Sequence, residues 1–218
     1  MNRKNYDSQL QELKEKLLKM SGLVEKALHN SVESLRTLDG KLAQEVIDLD
    51  DEIDRLEIEI DEFAIKIIAT QQPVAKDLRK IISAIKITSD VERIADYSVN
   101  IAKVTKRLEG QNLIKPLIDI PRMTETAKKM LRLGIDSYIS EDIELAKQLE
   151  QLDDTIDHTY KDILNELMEL MIEDKTVINQ GQQLGFAARY IERIGDHITN
   201  IGESVIYLVT GERKVLND

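Results

Sequence analysis

Four pairs of carboxylates stand out in this sequence by type and spacing: Asp50 with Asp54, Glu92 with Asp96, Asp153 with Asp157, and Glu192 with Asp196. The members of each pair are four residues apart, which on a helix stacks two like charges on one face. Such stacking destabilises an isolated helix by roughly a few tenths of a kcal/mol per pair. A bound, oxygen-seeking cation reverses that sign. Asn100 and Asn200 follow Asp96 and Asp196 by one further turn, and an all-oxygen donor set suits Mg, Mn, Ca or iron better than zinc or copper. The plainer alternative is a solvated acidic face. Arg93 and Arg193 each precede an Asp by three residues, and surface ion pairs of that spacing are common and weak. Recurrence of the pairs in both halves of the chain puts the two readings on an equal footing.

Other chemistries find less support. A ferritin-like di-iron site needs Glu-x-x-His on facing helices, yet the residues three before His29, His158 and His197 are Lys26, Thr155 and Ile194. His158 and His197 each follow a paired Asp directly, so they point about 100° away from it and read as surface or core-edge histidines. There is no Gly-rich phosphate loop, no Gly-x-Ser-x-Gly and no dinucleotide fingerprint. With 30 Lys and Arg against 41 Asp and Glu, the net charge of −11 opposes an extended nucleic-acid surface. The start, MNRKNYDSQLQELKEK, lacks an apolar signal segment, and no run of about 18 uncharged apolar residues occurs. Absence of Cys removes disulfides and thiolate sites and fits a reducing, cytoplasmic setting.

The carboxylates need helices to hold them, and composition supplies these. Hydrophobic residues at 42% suffice for a core, while 4% aromatics, nine Gly and three Pro leave little for strands and hairpins. Breakers at Asp39-Gly40, Gln72-Pro73, Gly110 to Pro121, Ser140, Glu173 to Gly181 and Gly211 delimit six helical stretches. These are Tyr6 to Leu38, Lys41 to Thr70, Val74 to Glu109, Arg122 to Ile139, Glu141 to Ile172 and Asn179 to Thr210. The last carries an unbroken 4-3 seam through Ala187, Ile191, Ile194, Ile198, Ile201, Val205 and Leu208. Similar seams run from Leu49 to Ile67 and from Leu149 to Leu170. Asp50, Asp54, Glu92, Asp153, Asp157 and Glu192 each follow a seam residue by one position, which places them at the margin of the core. Beside them runs a stripe of small residues, Ala95 and Ala102 in one half and Ala188, Gly195 and Gly202 in the other. A mid-helix Gly costs about 1 kcal/mol relative to Ala, so these glycines leave room for an ion or for another helix.

The halves repeat one another. Leu49-Asp-Asp-Glu-Ile-Asp54 returns as Leu152-Asp-Asp-Thr-Ile-Asp157, and Val91-Glu-Arg-Ile-Ala-Asp96 as Ile191-Glu-Arg-Ile-Gly-Asp196. A period near 100 residues suits a duplicated domain, here two tandem three-helix bundles over residues 1–110 and 111–218. The first half extends its acidic face through Glu57 and Asp61, where the second has Tyr160 and Leu164, so the two sites need not be identical.

Together these residues resemble the PhoU family of bacterial and archaeal phosphate regulators. The likeness is carried by Tyr6-Asp-Ser-Gln-Leu10, Leu23-Val-Glu-Lys-Ala-Leu28, the connector Gln72-Pro-Val-Ala-Lys-Asp-Leu-Arg79 and the doubled Glu-Arg-Ile-x-Asp. The resemblance implies an all-α fold of two similar three-helix bundles. It also implies binding of divalent or iron cations, in multinuclear clusters in some members, through Asp50, Asp54, Glu92, Asp96, Asp153, Asp157, Glu192 and Asp196, with Asn100 and Asn200 as additional ligands. It further implies a non-enzymatic cytoplasmic adaptor, usually a homodimer, reaching the membrane only through its partners. Those partners would be the ATPase subunit of a phosphate transporter and the phosphate-sensing histidine kinase, and the effect would be restraint of the starvation response. Two alternatives remain beside it: a metal-dependent hydrolase with carboxylate-bound ions, and a purely structural helical spacer.

Overall fold

Asp39 and Asp142 begin two of the helices that the breakers delimit. Each carboxylate accepts hydrogen bonds from two backbone N–H groups of the first turn, Lys41 and Leu42 in one case and Glu144 and Leu145 in the other, satisfying donors that a helix start leaves open. In this computed structural model, which describes residues 3–216, the chain forms α1 (Arg3–Thr37), α2 (Gly40–Gln71), α3 (Lys76–Leu108), α4 (Asp119–Ser140), α5 (Ile143–Glu173) and α6 (Ile178–Thr210). A single 3-10 turn, Lys175–Val177, precedes α6, and no strand occurs among the described residues.

Three expected boundaries shift for local reasons. Helix α4 starts at Asp119 rather than at Arg122, because Pro121 lies in the first turn, where its missing N–H has no intrahelical partner to lose. Helix α3 starts at Lys76 rather than at Val74, since Gln72 and Ala75 adopt positive φ (50° and 48°) and turn the chain between them. Helix α5 starts at Ile143 rather than at Glu141, since Glu141 takes positive φ (56°) and Asp142 caps the new helix.

The first three helices pack on one another, as do the last three, and the two sets meet through α3 against α6 and α1 against α4. Helices α1, α3, α4 and α6 therefore form an inner layer, with α2 and α5 on its flanks. One continuous core runs through both repeats. The seam of α6, packed on both sides, is buried along its whole length, whereas Leu49, Phe63, Leu152, Tyr160 and Leu170 on the flanking helices are only half-buried. Polar ties cross between the repeats: Ser83 Oγ donates to the Ser204 carbonyl at 3.1 Å, Arg79 Nε to the Leu208 carbonyl at 3.1 Å, and Lys14 Nζ to the Ile139 carbonyl at 2.9 Å. Lys76 and Lys80 of the first repeat pair with Glu141 of the second at 2.7 and 2.5 Å.

Candidate functional site

Packing of α2 on α3, and of α5 on α6, turns each set of paired carboxylates toward the other. In the first repeat burial raises the carboxyl of Asp50, with further contributions from Asp54 and Asp96 on the facing helix. Burial likewise pushes Glu92 up to about 7, helped by Asp96, Glu57 and Asp54 against the opposing pull of Arg93. In the second repeat burial pushes Asp153 up to about 7, reinforced by Asp157, Asp196 and Glu192. Asp157 and Glu192 are raised as well, chiefly by burial. The eight acidic residues singled out by spacing thus fall into two clusters, one per repeat.

Several oxygens in and beside these clusters lack a hydrogen bond. Glu92 Oε2, Glu192 Oε2, Asp153 Oδ1 and Asp61 Oδ1 are buried and accept no hydrogen bond. The arginines expected by the plainer reading are also in place: Arg93 Nη1 lies 2.7 Å from Asp96 Oδ2, and Arg193 Nη1 lies 3.0 Å from Asp196 Oδ2. Their Nε atoms stand 3.4 and 3.5 Å from Glu92 and Glu192 without forming a hydrogen bond to the buried oxygens. Among the described residues no three His, Asp or Glu side chains converge as a ready-made ligand set. Charge, hard-oxygen chemistry and orphaned buried oxygens fit a cation, with side-chain rotation and release of the arginines needed to close the set around it.

The repeats differ in depth. Asp153 is 7% exposed because Gly195 leaves space for it: a Cβ at position 195 would collide with Asp153 Oδ1. The first repeat has Ala95 there, and Asp50 remains half-buried. Gly202 has a packing reason, since a Cβ would lie 2.9 Å from both Leu149 Cδ1 and Leu216 Cδ1. Leu216 belongs to the C-terminal segment, which folds back so that its N–H donates to Glu203 Oε1 at 2.9 Å. Together with Lys214 and Val215 it borders an acidic cleft of about 390 Å³ over Asp153, Asp157 and Asp196.

Asn200 lies elsewhere. Its Nδ2 donates to Asp90 Oδ1 at 3.2 Å across the α3–α6 interface, where His197 Nδ1 also meets Asp90 Oδ1 at 2.9 Å. His197 packs against Tyr97, with ring centroids 5.7 Å apart, which makes it a core-edge histidine. Asp90 went unnoticed in the sequence because repeat comparison sets it opposite Tyr190, so it has no twin. Glu57 joins the first cluster, raised by burial and by Asp61 and Asp54; its spacing from Asp50 and Asp54 was the available signal.

The PhoU domain family model matches this chain twice, over residues 17–105 and 120–205. A relative from Clostridium acetobutylicum described as a "Phosphate-specific transport system accessory protein PhoU homolog" is 42% identical over 219 residues, covering 100% of both chains. One from Aquifex aeolicus with the same description is 41% identical over 94% of this chain and 92% of its own. The crystal structure of PhoU from Pseudomonas aeruginosa superposes with a TM-score of 0.90 at 38% identity, covering 95% of this chain and 100% of that one. No helix among the described residues is long and apolar enough to cross a membrane.

Proposed function

Since this chain belongs to the PhoU family, we propose that it is a non-enzymatic, metal-binding regulator of phosphate uptake and phosphate-starvation signalling. The reading places it in the cytoplasm, as an adaptor between the ATPase subunit of the phosphate transporter and the sensor histidine kinase. The observation that carries it is end-to-end similarity, at 42% identity, to a phosphate-specific transport accessory protein. A long, rigid and acidic helical surface without a nucleophile motif supports docking over turnover. Deletion should derepress phosphate-starvation genes in phosphate-rich medium, and pull-down from phosphate-replete cells should recover the transporter ATPase or the kinase. Normal repression in the deletion strain together with recovery of neither partner overturns the assignment.

The metal part of the proposal rests on the orphaned oxygens. Asp50, Asp54, Glu92 and Asp96 would hold one site, and Asp153, Asp157, Glu192 and Asp196 the other, with Asn100 beside the first. Divalent or iron cations would supply charge neutralisation, allowing acidic helix faces to stay in register. Homodimer formation belongs to the same proposal, and analytical ultracentrifugation of metal-loaded protein tests it. Phosphatase activity of that preparation would favour the hydrolase instead.

A further inference from the structure

A cleft of about 210 Å³ opens between α5 and α6, lined by Leu164, Met168, Met171, Gly181, Gly185 and Phe186, with Arg189 at one end. The first repeat has Ile81 and Ile85 where α6 has Gly181 and Gly185, and Ile81 is fully buried. The opening is therefore a property of the second repeat. Neither glycine has a positive φ, and Gly is the poorest ordinary helix former after Pro. A Cβ at position 185 would lie 3.5 Å from Leu164 Cδ2, an ordinary contact. Packing does not demand Gly185; what it provides is empty space. At the rim, Met168 is 53% and Phe186 37% exposed. Where the first repeat carries Glu57 and Asp61, this one carries Tyr160 and Leu164.

Charge identifies the occupant. Glu192 lies 3.5 Å from Arg193; Arg189 also acts on Glu192 through its charge but, among the described residues, makes no ion pair. An apolar cleft that ends in an exposed arginine without an ion pair is complemented by apolar side chains followed by a carboxylate. The geometry points to this cleft as the docking site for an amphipathic helix of another protein. That helix seats an apolar side chain over Gly185, beside Met171, which already covers Gly181, and places an acidic residue about one turn on, at Arg189. Met168 and Met171 give the walls the adaptability of unbranched thioethers. The inference does not depend on the phosphate assignment.

The test is photo-crosslinking of the full chain in its own cells, with benzoylphenylalanine in place of Met168, followed by mass spectrometry of the crosslinked segment. The expected capture is a helical segment with apolar residues three or four apart and an acidic residue one turn beyond. The synthetic form of that segment should bind purified protein, lose affinity about tenfold with Arg189→Glu, keep it with Arg189→Lys, and fail to bind Gly185→Leu. Circular dichroism verifies that Gly185→Leu is folded; if it is not, the two Arg189 variants decide alone. Absence of a crosslink, capture of a second copy of this chain or of lipid, or binding indifferent to the Arg189 changes overturns the proposal.

Discussion

Asp153 and Glu92 are carboxyls that the fold holds near neutrality, both at about 7 from ordinary values of 3.8 and 4.5. A carboxyl whose folded value lies above its unfolded one binds more protons in the native state, so it subtracts stability as pH rises from about 4 to about 7. Glu25, held below its ordinary range by Arg132, acts in the opposite sense and is lost as a stabiliser only when pH falls below about 4. Asp153→Asn should therefore be more stable than the parent by about 2 kcal/mol at pH 8 and equal to it near pH 4, as read by urea denaturation at both pH values. That figure is roughly half the value set by the displacement, because the acidic cleft admits water and counter-ions. Cations should reverse the penalty: manganese at a hundredfold excess over Kd adds about 2.7 kcal/mol of stability. Replacing both Asp96 and Asp196 by Asn should abolish the accompanying rise in Tm while leaving the metal-free Tm unchanged or slightly raised. Loss of metal-free stability with the rise retained would make these carboxylates partners of Arg93 and Arg193 only. The membership of the clusters was legible because four-residue spacing puts both members of a pair on one helix face. Their unequal depth was not, since it depends on contact between α5 and α6 at Gly195.

Helix α6 shows how differently three glycines act within one element. At positions 195 and 202 an added methyl meets Asp153, or Leu149, Leu216 and the Ala146 carbonyl, at less than normal contact. Gly202→Ala, which also crowds backbone, should lower stability by about 1–3 kcal/mol despite the better helix propensity of Ala, whereas Gly195→Ala should cost little, because Asp153 can swing outward as Asp50 does beside Ala95. Gly185→Ala meets only ordinary contact and should raise stability by about 0.5–1 kcal/mol. Thermal unfolding of the three variants ranks them, and a Gly185→Ala protein less stable than the parent would contradict the open-space reading. Seam periodicity revealed α2, α5 and α6, where the apolar repeat persists over many turns, and breakers delimited the others. It could not reveal that Pro121 sits inside a first turn or that Glu141 turns the chain at positive φ before α5, because both outcomes depend on which backbone groups lack partners after folding.

Across the whole molecule, the duplication legible in Glu-Arg-Ile-x-Asp produces a shared core, because α3 lies against α6 and α1 against α4. A fragment of residues 1–110 should keep its helical circular dichroism through the seam of α2, α1 and α3. It should also self-associate at tens of micromolar through the face that α4 and α6 normally cover, as sedimentation velocity would record. A fragment that stays monomeric would mean that each half closes its core alone. The sequence pattern identified the repeat but not this pairing, because internal similarity records ancestry within each half and says nothing of which faces meet. Residues joined across the α3–α6 interface, such as Asp90 and Asn200, are 110 positions apart. At a synthesis rate of about 5–20 residues per second, the first half of the nascent chain waits roughly 5–20 seconds for its covering helix. Throughout that interval the apolar side of α3 stays open to water, and it closes only once α6 has emerged from the ribosome.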